Sequence, residues 1–234
     1  IMLQQRLGLS LPTQRKLGAW TPVDEPTLLA WFAKGVEVTD SGTPTFSVSE
    51  WKDQSSNANH LLQSNVTEQP VNGTGAAKGI LTFDGSDDNF DFTSQISIAG
   101  EFTYGFKLQI GTVGRTLLAD NDIVTGNEWM KTINSTTMRF KIGGVVVNLN
   151  LDAPKVWGDD YLVYTRDGAG LISCWQNGVL QTATPTLAGT VEIDNFGVRK
   201  TGLNPYEGTI SEIQIYSGSS DEITANVNAR LASL

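Results

Sequence analysis

The chain has 234 residues and a formal net charge of −9 at pH 7, with 39% hydrophobic and 18% charged residues. This composition is typical of a globular protein and excludes an intrinsically disordered one. The excess of acidic residues argues against a general nucleic-acid binder, whose phosphate contacts need clustered lysine and arginine. We expect no membrane insertion, because no apolar segment approaches the length that crosses a bilayer. Cys174 is the only cysteine, so no internal disulfide can form, and we expect folding in a reducing cytosol.

Residues 1–25 predict an N-terminal arm that precedes the folded body. The first 20 residues contain three basic residues and no acidic one, and the sequence TPVDEP that follows has the proline content of a linker. A free segment of this kind would expose apolar surface, so we expect the arm to dock on a partner protein. The alternative is that it folds back on its own body. The residues assigned to docking are Leu3, Arg6, Leu7, Leu9, Leu11, Arg15 and Lys16.

From residue 26 onward, short apolar runs separated by turn residues predict one β domain, 26–234. Turn signals such as DSGTP, DGSDD and QNG fall between these runs. The segment YLVYTRD is apolar on both faces, which indicates a central strand. The segment FTYGFKLQIG alternates, and one face of it carries Phe102, Tyr104, Phe106 and Leu108. This spacing is typical of a two-sheet sandwich.

The end of the chain predicts a hairpin and a helix. In LISCWQNGVLQT, Asn177 and Gly178 are suited to the two positive φ angles of a type I′ turn. Within 219–234, either Ser219 or Ser220 can cap a short amphipathic helix that packs against the sandwich. The apolar face of this helix carries Ile223, Val227 and Leu231.

Five segments carry a resemblance to a known family of domains. They are TLLAWFAK, VSEWKDQSSNANHLLQ, GILTFDGSDDNFDF, TRDGAGLISCWQNG and GTISEIQIYSGSSDEITANVNARL, and they extend over roughly residues 27–234. In this order they resemble laminin-G-like, concanavalin A-like lectin/glucanase domains. The chain is most similar to the version in phage virion proteins, including those of marine and cyanobacterial phages, where a segment like LGLSL precedes the domain. The resemblance implies an all-β fold, a two-sheet antiparallel jelly-roll sandwich with a short C-terminal helix and an N-terminal arm.

The segment WKDQSSNANH, residues 51–60, resembles a structural corner of such domains, and a binding role is the less favoured alternative. Trp51 is expected in the core. The polar residues expected to bond backbone amides of the loop are Asp53, Ser55, Asn57 and Asn59. His60 is the only histidine, so it cannot belong to a multi-histidine metal site, and we expect it to pack or to cap the backbone.

Hydrolases of this fold resemble one another in three alternating acids, Glu-x-Asp-x-Glu, on one strand. Here VEIDNFG supplies Glu192 and Asp194, but the third position is Phe196. A retaining mechanism needs a carboxylate on each side of the bond it breaks. We therefore assign no catalytic residue, and glycoside hydrolysis is the least favoured function.

Two acidic loops raise the alternative of a calcium site. Oxygen ligands from loops suit calcium, and DGSDDNFD offers Asp84, Asp87 and Asp88. Neither this loop nor ADND has the spacing of an EF-hand, and Asp-Gly is also an ordinary turn signal. We expect solvated turns and no cofactor, with calcium at these three residues as the alternative.

A sugar site needs an exposed aromatic face with amides and acids beside it. The best candidate in the sequence is the segment DNDIVTGNEWMK. The residues assigned to glycan binding are Trp129, Asp120, Asn121, Asp122 and Asn127.

The function expected from the resemblance is that of a non-enzymatic phage virion protein, either a capsid decoration or part of a tail or fibre appendage. Its arm would dock on other virion proteins, and its sandwich would contact host-surface polysaccharide. We expect it on the virion surface after assembly in the host cytoplasm. The sequence leaves the oligomeric state open, and the resemblance to phage appendages points to a homotrimer. The alternative is a carbohydrate-binding module of a polysaccharide-degrading system.

Overall fold

The computed structural model describes residues 20–40, 46–120, 128–152, 160–199 and 202–234. In these ranges the strands are β1 (Leu28–Phe32), β2 (Val38–Asp40), β3 (Val48–Trp51), β4 (Leu61–Leu62), β5 (Val71–Asn72), β6 (Leu81–Asp84), β7 (Phe90–Ile98), β8 (Phe102–Ile110), β9 (Thr116–Ala119), β10 (Glu128–Asn134), β11 (Thr137–Ile142), β12 (Val145–Asn150), β13 (Asp160–Arg166), β14 (Ile172–Gln176), β15 (Val179–Leu180), β16 (Val191–Phe196) and β17 (Glu207–Tyr216). Helix α1 spans Asp221–Ala232, and 3₁₀ turns cover Pro22–Asp24, Val66–Glu68 and Gly75–Ala77.

The strands form two antiparallel sheets, which we name sheet A and sheet B. Sheet A has the order β15-β14-β13-β8-β17-β6-β5, and β1 also pairs with β17. Sheet B has the order β12-β11-β10-β9-β16-β7-β4-β3-β2. Many neighbours are distant in sequence, as in the pairing of β9 with β16 and of β8 with β17. The predicted two-sheet antiparallel jelly-roll sandwich is confirmed.

Aromatic side chains join the two sheets across the core. Phe32 of β1 lies against Trp51 of β3, with ring centroids 5.5 Å apart. Phe83 of β6 lies edge-on to Phe196 of β16, with centroids 5.3 Å apart. Such pairs contribute about 0.5–1.5 kcal/mol beyond the burial of their area. The core therefore has a specific geometry as well as a large apolar area.

The sequence-based strand predictions agree with the structure. The four residues predicted to share a face of β8 are all buried, and β13 lies between β8 and β14 with both faces covered. At the predicted hairpin, Asn177 and Gly178 have φ angles of 50° and 78°. These values are those of a type I′ turn.

Helix α1 lies on the outer face of sheet A, as predicted. The Ser220 Oγ accepts the N–H of Ile223 at 3.1 Å, which caps the helix at its first residue. The fully buried carboxylate of Glu212 accepts hydrogen bonds from Arg230 of the helix and from the indole Nε1 of Trp31. The apolar face that packs on the sheet carries Ile223, Val227 and Leu231. No helix of the described residues has the length and apolar character needed to cross a membrane.

Residues 51–60 form the structural corner that the sequence predicts. Asp53 is 6% exposed, and its Oδ1 accepts the N–H groups of Trp31 and Ser55, each at 2.8 Å. Its Oδ2 accepts the N–H of Asn59 at 2.9 Å. A single carboxylate thereby supplies acceptors for a loop that forms no strand pairing.

Two further residues of this corner also bond to the backbone. The Nδ2 of Asn57 donates to the carbonyls of Leu28 and Leu29, each at 3.0 Å, so its partners are carbonyls and not the expected amides. The Nδ1 of His60 accepts the N–H of Asp53 at 3.1 Å, which confirms the capping role. Both contacts fix the loop against its neighbours.

The last residues of the predicted arm, 20–25, contact the sandwich. Trp20 is partly buried against the apolar cluster beneath α1. The turn Pro22–Asp24 is closed by hydrogen bonds between Thr21 and the Asp24 carboxylate. All seven residues assigned to docking lie outside the described residues, so the arm and its boundary stay predictions.

Cys174 provides a test of the core. Its side chain is fully buried on β14, and burial raises the pKa of its thiol to about 12. Near pH 8 the thiolate fraction is then about a thousandfold lower than for an ordinary thiol, so the native protein should resist Ellman's reagent. Absorbance of the released thiol, with and without guanidinium, measures this. Stoichiometric labelling of the native chain within minutes would contradict the burial.

Candidate functional site

A depression of about 370 Å³ lies at one end of sheet B. Its walls come from the turn between β11 and β12, from residues 188–190, from the start of β16 and from the end of β9. The polar side chains in its described lining belong to Asp120, Lys141, Thr190 and Glu192. These residues share one depression because β11, β10, β9 and β16 are consecutive neighbours in sheet B.

The 188–190 segment is fixed from the interior by Arg166. The guanidinium donates from Nη1 to the carbonyl of Gly189 and from Nε to the carbonyl of Gly100, each at 2.8 Å. Gly189 has a φ of 108°, and a Cβ at this position would lie 2.8 Å from the Cγ2 of Ile142. Only glycine tolerates both this positive φ angle and this close approach to Ile142. One wall of the depression is therefore built from backbone held at close range.

The carboxylates of the depression occupy defined positions. Asp120 is 4% exposed, and its Oδ1 accepts a hydrogen bond from the Nε2 of Gln95 at 3.3 Å. Glu192 lies half-buried on β16, opposite Ser97 of β7. Lys141, on β11, is half-buried and adds an ammonium group. Acceptors and a donor around an open depression suit a ligand that offers many hydroxyl groups.

Of the five residues predicted to bind a glycan, the structure places Asp120 in this depression. Asn121, Asp122 and Asn127 lie outside the described residues. Trp129 belongs to β10, which pairs with β9, but its side chain also lies outside the description. The predicted set thus stays a prediction, with one member located.

No motif of the sequence connects Lys141, Thr190 or Glu192 with Asp120. Lys141 belongs to an ordinary alternating strand, and Thr190 follows a glycine in a short loop. Neither residue sits in a motif. Their proximity depends on the order of strands in sheet B, which no local pattern of the sequence indicates.

The strand with the glucanase-like pattern carries two carboxylates. Glu192 and Asp194 are half-buried on β16. Phe196, at the third position of the pattern, is fully buried and packs against Phe83 and Tyr206. The third position therefore contributes to the core of the sandwich.

The acidic loop between β6 and β7 brings three carboxylates together. The ligand oxygens of Asp84, Asp87 and Asp88 lie within 4.8 Å of one another. Calcium–oxygen distances of about 2.4 Å allow ligand atoms at such separations, so the three groups fit that ion. The Oδ2 of Asp88 also accepts the N–H of Asp84 at 2.8 Å, as in an ordinary turn. Calcium at this loop therefore stays a prediction.

Asp88 should make stability depend on pH. Burial chiefly, together with the charges of Asp84 and Asp87, raises the pKa of Asp88 to about 6 from its usual value of 3.8. The folded state then binds the proton more tightly than the unfolded state. Its contribution to stability is present below about pH 4 and is lost as the pH rises through 6.

The expected loss is about 1–2 kcal/mol, smaller than the full shift implies because water reaches part of the loop. Urea unfolding in chelator between pH 4 and pH 8 measures it. The variant Asp88→Asn should lack this component, since the amide oxygen still accepts the Asp84 N–H. Equal pH profiles for the two proteins would contradict the assignment. On the alternative that this loop binds calcium, millimolar calcium should restore the stability of the wild type alone.

No family model matches the chain, and no curated protein is similar to it by sequence. Solved structures do share its fold. Domain 4 of AbnA, a GH43 extracellular arabinanase from Geobacillus stearothermophilus, in complex with arabinotriose, is 14% identical with a TM-score of 0.62. That match covers 88% of this chain and 98% of the other.

Two further neighbours are parts of toxins. The binding domain of Paraclostridial Mosquitocidal Protein 1 is 13% identical with a TM-score of 0.56, over 91% of this chain and 53% of that one. The ligand binding domain of botulinum neurotoxin serotype D, in complex with N-acetylneuraminic acid, is 11% identical with a TM-score of 0.59. This match covers 88% of this chain and 51% of that one.

Trypanosoma rangeli sialidase is also similar, at 12% identity and a TM-score of 0.56. The chain covers 33% of the sialidase and about half of each toxin domain. Identities this low establish the fold alone. The fold that this chain shares with them is a two-sheet antiparallel β-sandwich.

Proposed function

We propose that this chain is a non-catalytic carbohydrate-binding domain and that a glycan occupies the depression beside Asp120. The observation that carries the proposal is the convergence of two carboxylates, an ammonium group and a hydroxyl group at an open depression of about 370 Å³. Sugars present hydroxyl groups in several directions, which such a set can bind. Two of the fold neighbours are complexes with arabinotriose and with N-acetylneuraminic acid. They support the proposal as examples of the fold in sugar recognition.

The absence of turnover is the second part of the proposal. The strand with the glucanase-like pattern offers Glu192 and Asp194, and the third position is occupied by the buried Phe196. A third carboxylate on that face would be needed to complete the hydrolase pattern. The wild type should therefore release no reducing sugar above background. The amide variants Glu192→Gln and Asp194→Asn should give the same result in that assay.

Glycan binding is tested by mutation of the depression. In a glycan microarray followed by calorimetry on the full chain, Asp120→Ala and Lys141→Ala should each weaken binding at least about tenfold. Lys78→Ala, at an exposed turn of another part of the surface, is the matched control and should change the affinity little. Equal binding by all of the variants would show that the sugar does not bind in this depression.

We further propose that the domain is displayed on a phage virion, as a capsid decoration or in a tail or fibre appendage, and contacts host-surface polysaccharide. The support comes from the sequence resemblance and from the basic, leucine-containing segment that precedes the sandwich. A homotrimer assembled in the host cytoplasm belongs to the same proposal. Calcium at the acidic loop between β6 and β7 is not required by it.

The alternative is a carbohydrate-binding module of a polysaccharide-degrading system. One observation favours it, because the match to domain 4 of the arabinanase covers 98% of that chain and is therefore a match of whole domains. In this case the sandwich would bring a catalytic domain to its polysaccharide. The depression would serve the same purpose in both proposals.

A rebinding experiment separates the two. The full chain and a chain lacking residues 1–19 are mixed with virus particles from which the protein has been stripped, and the bound mass is measured by light scattering. The shorter chain keeps Trp20 and the turn Pro22–Asp24, which contact the sandwich. Rebinding by the full chain alone supports the virion proposal. Rebinding by neither chain, with retention of both on insoluble polysaccharide, favours the module.

A further inference from the structure

A second depression, of about 230 Å³, lies between the structural corner and β7. The polar residues of its described lining are uncharged, namely Asn57, Asn59, Ser94, Gln95 and Ser97, and the apolar ones are Leu29 and Ile96. Amides and hydroxyl groups beside apolar surface suit a sugar ring, which has apolar C–H faces and a rim of hydroxyl groups. The proposed glycan site beside Asp120, the first depression, does not include this surface.

The rim of the second depression is held in place by Asn59. The Oδ1 of Asn59 accepts the N–H of Ser94 at 2.8 Å and the hydroxyl of Thr93 at 3.1 Å. Its Nδ2 donates to the carbonyl of Ser94 at 2.8 Å, and its own N–H is bound by Asp53. The corner thereby fixes β7 beyond the end of its pairing with β4. A rim that is already fixed lowers the entropic cost of binding a ligand.

Two hydroxyl groups of this lining are available to a ligand. Ser94 and Ser97 are exposed, and the side-chain hydroxyl of neither forms a hydrogen bond with any residue in the described ranges. Each hydroxyl can donate one hydrogen bond and accept others. The second depression therefore offers donors and acceptors that match the hydroxyl groups of a sugar.

The two depressions meet where β16 lies beside β7. Glu192, in the lining of the first depression, is the cross-strand partner of Ser97, in the lining of the second. Residues paired in this way have Cβ atoms about 5 Å apart. At another point the Nε2 of Gln95, from the second lining, lies 3.3 Å from the Oδ1 of Asp120, from the first. The two linings are therefore in contact across these strands.

The sizes of the depressions indicate that they act together. Pockets for small molecules have volumes of about 300–1,000 Å³. The second depression, at about 230 Å³, is below that range and can hold only part of a ligand. Because neighbouring strands are about 4.8 Å apart, a ligand that fills both depressions has to extend across β16 and β7.

We infer that the two depressions are subsites of one groove and that its ligand is a linear oligosaccharide that crosses β16 and β7 over Ser97. The inference rests on the proposed function and adds the length and the direction of the ligand. Affinity should rise with the number of sugar units until both subsites are filled. The reason is that contacts in the second subsite are gained without a second loss of translational and rotational freedom.

The test measures affinity against chain length on the full chain. The probes are oligomers of arabinose, of xylose and of glucose, each series from the monomer to the hexamer, titrated by calorimetry. In a series that binds, we expect the longer oligomers to bind more than about tenfold tighter than the monomer, with a plateau once both subsites are filled. Equal affinity for the monomer and the hexamer overturns the groove and leaves sugar binding standing.

A variant at the meeting point shows whether the ligand crosses it. Ser97→Ile places a bulky side chain there, in a residue type that suits an exposed strand position, and the hexamer should then bind within about threefold of the monomer. Ser97→Ala removes only the hydroxyl and should keep most of the dependence on length. Thr82→Ile, a comparable change at an exposed position of β6 in sheet A, is the matched control and should leave every affinity unchanged.

The remaining outcomes separate the inference from the proposed function. A dependence on length that survives in Ser97→Ile overturns the crossing over Ser97. Binding of none of the three series overturns the inference, and an empty glycan microarray overturns the proposed function together with it.

Discussion

Replacement of Asp53 with alanine is expected to lower the free energy of unfolding by about 4 kcal/mol, because three backbone N–H groups of buried or half-buried residues lose a charged acceptor. Those groups belong to Trp31, Ser55 and Asn59 and lie 2.8–2.9 Å from the carboxylate oxygens. The side chain is 6% exposed, so water cannot replace it without opening the corner. Urea unfolding followed by tryptophan fluorescence measures the loss.

Two variants control for this result. Asp53→Asn keeps one carbonyl oxygen and the side-chain volume, so its loss should be intermediate, at about 2 kcal/mol. Asp221→Ala removes an exposed carboxylate that interacts favourably with the positive end of the dipole of helix α1. This change should lower the free energy of unfolding by less than about 1 kcal/mol. A loss for Asp53→Ala as small as that for Asp221→Ala would show that the corner is held by other contacts.

The parts of the fold that could be predicted from the sequence depend on neighbours along the chain. The turn at Asn177 and Gly178 needs two positive φ angles, which that residue pair tolerates. A serine cap at Ser219 or Ser220 and the spacing of the apolar residues after it predict helix α1, and the structure uses Ser220. The alternation in β8 likewise states which face is buried, whatever strand lies beside it.

The pairing of strands cannot be predicted in the same way, and the candidate site depends on it. Asp120 and Glu192 line one depression because β16 pairs with β9, and Lys141 lines it too because β10 and β11 follow β9 in the sheet. These are contacts between distant parts of the chain, with no local signature. The glycan prediction named Asp120 from its acidic neighbourhood, and it did not name the residues of other strands that share the depression with Asp120.

The burial of Arg166 also could not be predicted from the sequence. Arg166 follows the apolar part of YLVYTRD, and no pattern of the sequence indicates its burial, since arginine is rarely buried without a partner of opposite charge. In the structure it is 2% exposed, and no carboxylate pairs with it among the described residues. Its guanidinium lies 5.1 Å from the ring centroid of Phe102, and burial lowers the pKa of the group. Carbonyl dipoles and a ring face take the place of an anion.

Replacement of Arg166 with methionine is the second large prediction, with an expected loss of about 3 kcal/mol in the free energy of unfolding. The carbonyls of Ile98, Gly100 and Gly189 would each lose a donor, and methionine fills the space without offering one. Arg166→Lys keeps the charge but concentrates its donors at one point, so it should recover only part of the loss. Losses below about 1 kcal/mol for both variants would contradict this role.

The same variant should affect the ligand through the position of Gly189. Arg166 is not in the described lining of the depression, but it holds the backbone of one wall at Gly189, so it is a positioning residue. At a temperature where Arg166→Met is still folded, we expect its affinity for an oligosaccharide to fall about three- to tenfold, because the carbonyl of Gly189 has lost the donor that holds it. An unchanged affinity would show that the wall keeps its place without Arg166.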